Sequence, residues 1–249
     1  MRKLLVVGML GSFSLLCAQD RFPYRPDPEL IKEIVAPPSR YGKVLFDLFE
    51  YNPDERELSY DVEAWFGGDY NRLWFETEGE HSLREGGGTL ERFDLYYSRL
   101  IAPFWDVRAG VGTHRIYGDS SSDRVYLAAG VQGLAPYWFE TDLNLRVDAD
   151  GKITADGEVE LDLLFTQRLI LQPRAEFLAS FSNIEDVGIY RGLNSVELGL
   201  RLRYEIRREF APYAGVSWTQ LFGESADAVR ESGEKAGTFG IVIGIRMWL

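Results

Sequence analysis

The sequence predicts an all-β protein, an antiparallel, transmembrane, up-and-down β-barrel of about twelve strands. Three observations predict this fold. Apolar and polar residues alternate along most of the chain, tight turns alternate with longer polar loops, and aromatic residues collect beside the tight turns. A membrane barrel shows lipid on one face of each strand and water on the other, so alternation is its sequence pattern. The mean hydropathy of −0.19 is compatible with strands that are apolar on only one face.

The N-terminal residues are typical of a secretory signal peptide. Arg2 and Lys3 precede an apolar run over residues 4–16, and Ala18 offers a small residue for cleavage. We therefore expect a signal peptide at 1–18, an extended or disordered proline-rich linker at 19–42, and an outer-membrane β-barrel at 43–249. Cys17 would leave with the signal peptide, so we expect neither disulfides nor thiolate metal sites in the mature chain.

The alternating segments follow one another from residue 44 to the C-terminus, and most are near the ~10 residues with which a tilted strand crosses a bilayer. The predicted strands are 44–52, 57–66, 71–81, 89–100, 103–114, 123–133, 137–147, 153–165, 167–181, 193–206, 210–222 and 236–249. The predicted tight turns are 67–70, 101–102, 134–136, around 166, and 207–209; the predicted polar loops are 53–56, 82–88, 115–122, 148–152, 182–192 and 223–235. Short periplasmic turns and longer extracellular loops are typical of an outer-membrane barrel.

The hairpin around residues 130–140 shows how the aromatic residues are placed. Its turn carries Tyr137, Trp138 and Phe139 in succession, and other tight turns are also flanked by aromatic residues. Rings with an apolar body and a polar tip are favoured at a membrane–water interface. The last strand runs to Leu249, and it must pair with another strand, which closing on the first strand achieves.

The formal net charge of −12 argues against a nucleic acid as partner. The apolar faces of the predicted strands are expected to contact outer-membrane lipid. With the apolar face outside, the charged side chains point into the lumen. The predicted acidic wall comprises Asp61, Glu63, Glu76, Glu78, Glu80, Glu140, Asp142, Glu158, Glu160 and Asp162. The predicted basic wall comprises Arg174, Arg201, Arg203 and Arg246. Two interpretations stay open: ion pairs that narrow or plug the barrel, and a lumen that attracts cations.

Metal ligands are scarce in this sequence. His81 and His114 lie near the loop-side ends of their strands, where His114 is expected to point inward and His81 outward. Together with acidic neighbours they are a candidate site for a divalent ion, although rim residues without a ligand role explain them as well. His114 is also followed by Ser120, Ser121, Ser122 and Asp123, but such a cluster is normally turn chemistry, and we expect no enzymatic activity.

Several motifs, in order from about residue 60 to the C-terminus, resemble those of the copper resistance protein B family. They are WFGGD (65–69), NRLW (71–74), EGE (78–80), LY (95–96), SR (98–99), IAPFWD (101–106), GVQGLAPYWFE (130–140), TQRLILQP (166–173) and GLRLRYEIRREFAPY (199–213).

The resemblance implies an outer-membrane barrel of copper homeostasis that binds or handles copper ions and works beside a periplasmic multicopper oxidase. The family often carries a Met/His-rich stretch before the barrel, but residues 19–42 contain neither residue type. Any copper role would therefore use the lumen carboxylates, His114 and His81, or a partner. The alternative is a narrow, cation-attracting pore that does not bind copper directly.

Overall fold

The computed structural model describes residues 40–84, 86–118, 122–233 and 235–249, and these form a closed antiparallel β-barrel. The strands are β1 Tyr41–Asn52, β2 Glu57–Gly67, β3 Asn71–Ser82, β4 Gly88–Ala102, β5 Trp105–Tyr117, β6 Ser122–Ala135, β7 Phe139–Asp148, β8 Ile153–Glu160, β9 Leu163–Leu164, β10 Leu169–Ser180, β11 Gly192–Tyr204, β12 Phe210–Leu221 and β13 Gly237–Trp248. Sequence neighbours pair in turn, and β13 pairs with β1 to close the wall.

The prediction of twelve strands is confirmed, because β8 and the two-residue β9 share one position in the wall. Both pair with β10, and the strand predicted over 153–165 is only interrupted between Glu160 and Leu163. The first strand begins at Tyr41, slightly before the predicted barrel boundary. The predicted signal peptide and all but the last residues of the predicted linker lie outside the described residues.

Strand β4 shows why this sequence forms a barrel wall with a polar interior. Arg92, Asp94, Tyr96 and Ser98 are buried, whereas the intervening residues of the strand are exposed and mostly apolar. Successive side chains of a strand point to opposite faces, so this alternation places the polar residues in the lumen and the apolar residues on the outside. In water the apolar face would be costly to expose, whereas in a bilayer it contacts lipid.

Two β-bulges change which residues face the lumen. In β1 the pairing with β2 shifts around Asp47, and in β4 the pairing with β3 shifts around Glu91. A bulge inserts one residue and re-aims the side chains beside it. As a result Glu91 lines the interior together with its neighbour Arg92, and Asp47 does so as well.

The connections divide the barrel into two ends. The end with the connections 68–70, 103–104, 136–138, 165–168 and 205–209 is here named the turn end, and the opposite end is the loop end. Phe104, Tyr137 and Trp138 are exposed at the turn end and have left-handed φ angles of 66°, 68° and 69°. Such φ values are uncommon for bulky residues, so these turns hold aromatic rings in unusual backbone positions.

The loop end contains structure that the alternation did not predict. The loop predicted over 223–235 contains the helix α1 Gly223–Glu231, and a 3-10 turn spans Glu185–Val187. The helix is anchored by Ser225, whose hydroxyl donates a 2.5 Å hydrogen bond to the side-chain oxygen of Asn194. Helix α1 is therefore attached to the start of β11 at one side of the loop end.

Among the described residues, no helix is long and apolar enough to cross a membrane.

Candidate functional site in the barrel lumen

The lumen contains two main chambers. The loop-end chamber has a volume of about 480 Å³ and the turn-end chamber about 260 Å³. Charged or titratable residues of the loop-end chamber are Glu55, Glu57, Glu78, Glu80, Glu91, Arg92, His114, Arg124, Tyr126, Arg146, Asp148, Lys152, Asp156, Glu158, Glu176 and Glu197. Those of the turn-end chamber are Asp47, Asp61, Glu63, Arg72, Asp106, Glu140, Asp142, Glu158, Glu160 and Arg246. Carboxylates outnumber basic groups in both chambers.

Arg174 lies between the two chambers and contacts carboxylates from several strands. Its Nε atom is 2.8 Å from Glu158 and 2.6 Å from Glu176, and its Nη2 atom is 3.3 Å from Asp61. Its Nη1 atom is 3.7 Å from Asp47. A guanidinium group presents five donors in a fixed fork, so it can satisfy several buried carboxylates at once.

Arg92, on β4, adds a second guanidinium group to this cluster. Its Nη2 atom is 3.3 Å from the same Asp61 carboxylate, and its Nε atom is 2.9 Å from Glu78. Asp61 is therefore shared between Arg92 on β4 and Arg174 on β10. The Asp61 carboxylate thus joins the contacts of Arg92 and Arg174 into one network.

A second cluster surrounds Arg108, whose side chain is fully buried. Arg108 donates a 2.5 Å hydrogen bond to Glu76, a 2.8 Å hydrogen bond to Asn144, and a further one to Asp142. The guanidinium carbon lies 4.4 Å from the ring centroid of Tyr96, which adds a cation–π contact.

Asp94 is the acceptor of a third cluster. Tyr96 and Tyr126 donate hydrogen bonds of 2.9 and 2.7 Å to its two oxygens, and Arg146 contacts it at 3.2 Å. Trp74 packs beside these tyrosines and donates a 2.9 Å hydrogen bond to Ser98. These aromatic rings occupy part of the lumen and leave less room between the chambers.

Further ion pairs line the wall. Arg246 lies 2.5 Å from Asp47, Arg203 lies 2.6 Å from Asp162, and Arg201 pairs with Glu50. All four residues of the predicted basic wall, Arg174, Arg201, Arg203 and Arg246, thus contact interior carboxylates.

Most of the predicted acidic wall also lies in the two chambers. Glu78, Glu80 and Glu158 line the loop-end chamber, and Asp61, Glu63, Glu140, Asp142, Glu158 and Glu160 line the turn-end chamber. Glu76 is buried against Arg108, and Asp162 pairs with Arg203.

Several chamber carboxylates have no basic partner. In the described part of the chain, no salt bridge forms to Glu57, Glu63, Glu80, Glu91 or Glu140. Glu160 accepts a 2.6 Å hydrogen bond from Gln172 instead. These glutamates are therefore chamber carboxyl groups that no basic side chain pairs with in the described part of the chain.

The two histidines lie on different faces of the wall. The His114 ring lines the loop-end chamber, and its Nδ1 atom is 3.1 Å from the backbone oxygen of Glu91. Its Nε2 atom is buried and has no hydrogen-bond partner. His81 instead stacks on the exposed ring of Tyr117, whose hydroxyl lies 3.3 Å from its Nδ1 atom. The structure therefore does not bring the two predicted metal ligands together.

Sequence reasoning missed several interior residues. Asp47, Glu50 and Glu91 follow bulges or a shifted register, so simple alternation assigns them no consistent face. Arg92 and Arg124 could have been found, because each lies two residues from another inward position of its strand. Among the described residues, no group of three or more His, Cys, Asp or Glu side chains is already gathered for metal binding.

The structure does not bring His114 and Asp123 together as a catalytic pair. Asp123 pairs with Arg115 through hydrogen bonds of 2.5 and 2.8 Å, and both side chains are exposed. His114 bonds to the backbone at Glu91 and not to Asp123. Ser120 and Ser121 lie outside the described residues. The expectation that the chain is not an enzyme stays a prediction.

Comparison with known proteins identifies the family of this chain. Residues 40–249 match the family model described as Copper resistance protein B precursor. The chain is 42% identical over 207 residues to Copper resistance protein B of Escherichia coli, a match that covers 82% of this chain and 68% of that protein. It is 36% identical over 196 residues to the Copper resistance protein B homolog of Pseudomonas syringae pv. tomato, covering 78% of this chain and 65% of the homolog.

Among solved structures, the barrel is similar to the NanC porin, with a TM-score of 0.51 and 10% sequence identity over 83% of this chain and 99% of the porin. At this identity the likeness concerns the fold, which is that of an outer-membrane porin barrel. The motifs, the family model and the two relatives agree, and this chain belongs to the copper resistance protein B family.

Proposed function

We propose that this chain is an outer-membrane protein of copper resistance that takes up copper(II) in its loop-end chamber. The observation that carries this proposal is the buried, unpartnered Nε2 atom of His114, which lies in a chamber lined by carboxylates without basic partners. Membership of a copper resistance family supports the choice of copper, and the position of His114 supports the choice of chamber.

The charge of the chamber favours a cation. Glu57, Glu80 and Glu91 are unpaired, and the carboxylates of a low-dielectric lumen attract counter-ions more strongly than the same groups in water. The arginines nearest His114 are themselves neutralised. Arg124, its register neighbour on β6, pairs with Asp148, and Arg146 pairs with Asp94.

The ligand atoms available in the chamber favour copper(II) over copper(I). Imidazole and carboxylate groups suit copper(II), whereas copper(I) prefers thiolate and thioether sulfur. In the part of the chain that the structure describes, Met247 alone offers sulfur, and it lies at the turn end. Copper(II) would thus bind through His114 and flexible glutamate side chains that move toward it.

The outer membrane is the location that fits the barrel. Its exposed apolar wall requires lipid, and its exposed turn-end aromatics, including Tyr137 and Trp138, suit a membrane interface. The turn end would then face the periplasm, where the proposed partner is a multicopper oxidase. That partner rests on the family resemblance.

The test is titration of the refolded, detergent-solubilised barrel with Cu(II). His114→Ala is expected to weaken binding at least tenfold, whereas His81→Ala is the matched control and is expected to leave the affinity within twofold. Glu80→Gln/Glu91→Gln is also expected to weaken binding, because it removes unpaired carboxylates from the same chamber.

Two results would contradict the proposal. One is the absence of Cu(II) binding to the wild-type barrel, and the other is an equal effect of the two histidine substitutions. In cells, wild-type protein and His81→Ala are expected to restore the copper tolerance of a deletion strain, and His114→Ala is expected to restore less.

A further inference from the structure

We propose that the two chambers are halves of one cation path and that the guanidinium group of Arg174 is the barrier that interrupts it. The inference concerns passage of monovalent cations through the lumen, and it does not depend on copper binding. It rests on where Arg174 and its carboxylate partners lie in the barrel.

The Arg174 side chain reaches across the lumen. Arg174 belongs to β10 and Asp61 to β2, and these strands lie on nearly opposite sides of the closed strand order. Their side chains nevertheless meet at 3.3 Å. An ion pair between opposite sides of a barrel must cross the lumen, so this pair occupies the path of any ion.

The carboxylate partners of Arg174 are divided between the two chambers. Glu176 and Glu78 line the loop-end chamber, Asp47 and Asp61 line the turn-end chamber, and Glu158 lines both. All five lie within 4.0 Å of Arg174. Arg174 lines neither chamber itself, but it contacts carboxylates of both and therefore lies between them.

Two other buried arginines, Arg108 and Arg201, contact carboxylates on strands nearer to their own. Arg108 on β5 contacts Glu76 on β3 and Asp142 on β7, which flank its own side of the wall. Arg201 on β11 pairs with Glu50 on β1, and this pair too lies along the wall. Neither pair spans the lumen as Arg174 and Asp61 do, so we expect their loss to leave the path closed.

The chemistry follows from the charges. A fixed guanidinium repels an entering cation and holds the carboxylates that would otherwise replace the water shell of that cation. If the guanidinium is removed, these carboxylates face an open path, and rings of Asp and Glu side chains favour cations over anions. In the native chain the same barrier would keep an ion in the loop-end chamber from leaking through.

The experiment is single-channel recording of purified, refolded barrels in planar bilayers in KCl. Arg174→Gln is expected to raise the conductance at least tenfold over wild type, with a reversal potential in a KCl gradient that shows cation selectivity. Arg174→Lys keeps the positive charge and is expected to stay near the wild-type conductance. Arg201→Gln is the matched control, since it removes an equally buried arginine from the wall.

Folding of each variant is checked by its heat-dependent mobility on SDS gels. If Arg174→Gln does not fold, Arg174→Gln/Glu158→Gln removes part of the excess negative charge, and the same criteria apply to it. The proposal is overturned if a folded variant without the guanidinium conducts within twofold of wild type. It is also overturned if Arg201→Gln opens the barrel equally, or if wild type already conducts as an open pore.

Discussion

Replacing Arg108 by methionine tests how much the interior ion pairs contribute to stability. The side chain of Arg108 is fully buried, and that of Glu76 beside it is 1% exposed. Arg108 also holds Asp142 and Asn144, so one substitution removes the cation from a cluster in which Glu76 is shielded from water. Methionine fills a similar volume without the charge.

The expected loss follows from the charges that stay behind. Removing one partner of a buried ion pair typically costs about 3–5 kcal/mol, because the other charge is left uncompensated. Arg108→Met is therefore expected to lower the free energy of unfolding by about 3–5 kcal/mol. In Arg108→Met/Glu76→Gln the most buried stranded charge is gone, so the double variant is expected to recover about 1–3 kcal/mol of that loss.

The assay is urea unfolding of the barrel in phospholipid vesicles, followed by tryptophan fluorescence and gel mobility. Arg230→Met is the control, because Arg230 and Asp227 form an exposed pair on α1 with side chains 59% and 70% accessible. Such surface pairs contribute about 0–1 kcal/mol. The reasoning is refuted if Arg108→Met costs no more than the control, or if the two substitutions in the cluster are simply additive.

Three further predictions concern other parts of the barrel. Gly112→Ala is expected to destabilise the fold by about 1–3 kcal/mol in urea unfolding, because an added Cβ atom would clash with the side-chain oxygen of Asp94 and the ring of Tyr126; a neutral result would contradict the tight packing there. Trp138→Phe is expected to remove much of the fluorescence that brominated lipids quench, since Trp138 is 73% exposed at the turn end; unchanged quenching would place it away from lipid. Asn194→Ala is expected to speed trypsin cleavage in the loop before β11, because Asn194 accepts the hydrogen bond of Ser225 and donates to Tyr190; equal cleavage rates would argue against this anchor.

The barrel could be predicted from sequence because its main signal is local. Alternation with period two needs only neighbouring residues, and it located all twelve wall positions. The parity of the two histidines was also sufficient to place His114 inward and His81 outward, as their contacts agree. Lipid outside and water inside impose that alternation on every strand.

The interior could not be predicted in the same way, because it depends on contacts between distant strands. Asp61 and Arg174 are 113 residues apart, and their meeting depends on barrel closure and register. The bulge at Glu91 adds one residue to β4 and turns an expected outward position inward. Helix α1 was missed because its anchor, the bond between Ser225 and Asn194, joins it to the start of β11, which is distant in the sequence.

The arrangement of charges, more than their number, distinguishes the two interpretations of the lumen that the sequence left open. The structure shows interior ion pairs, and cation attraction stays a proposal for the chambers. Arg92, Arg108 and Arg174 pair with the carboxylates around them, and the pair of Arg174 with Asp61 crosses the lumen. In the chambers on either side, glutamates such as Glu80 and Glu140 have no such partner among the described residues. Unpaired carboxylates in a confined lumen repel one another, and a bound cation would relieve that repulsion. This division of paired and unpaired carboxylates is the basis of the two proposals, that cations are held in the chambers and that Arg174 keeps them from passing freely.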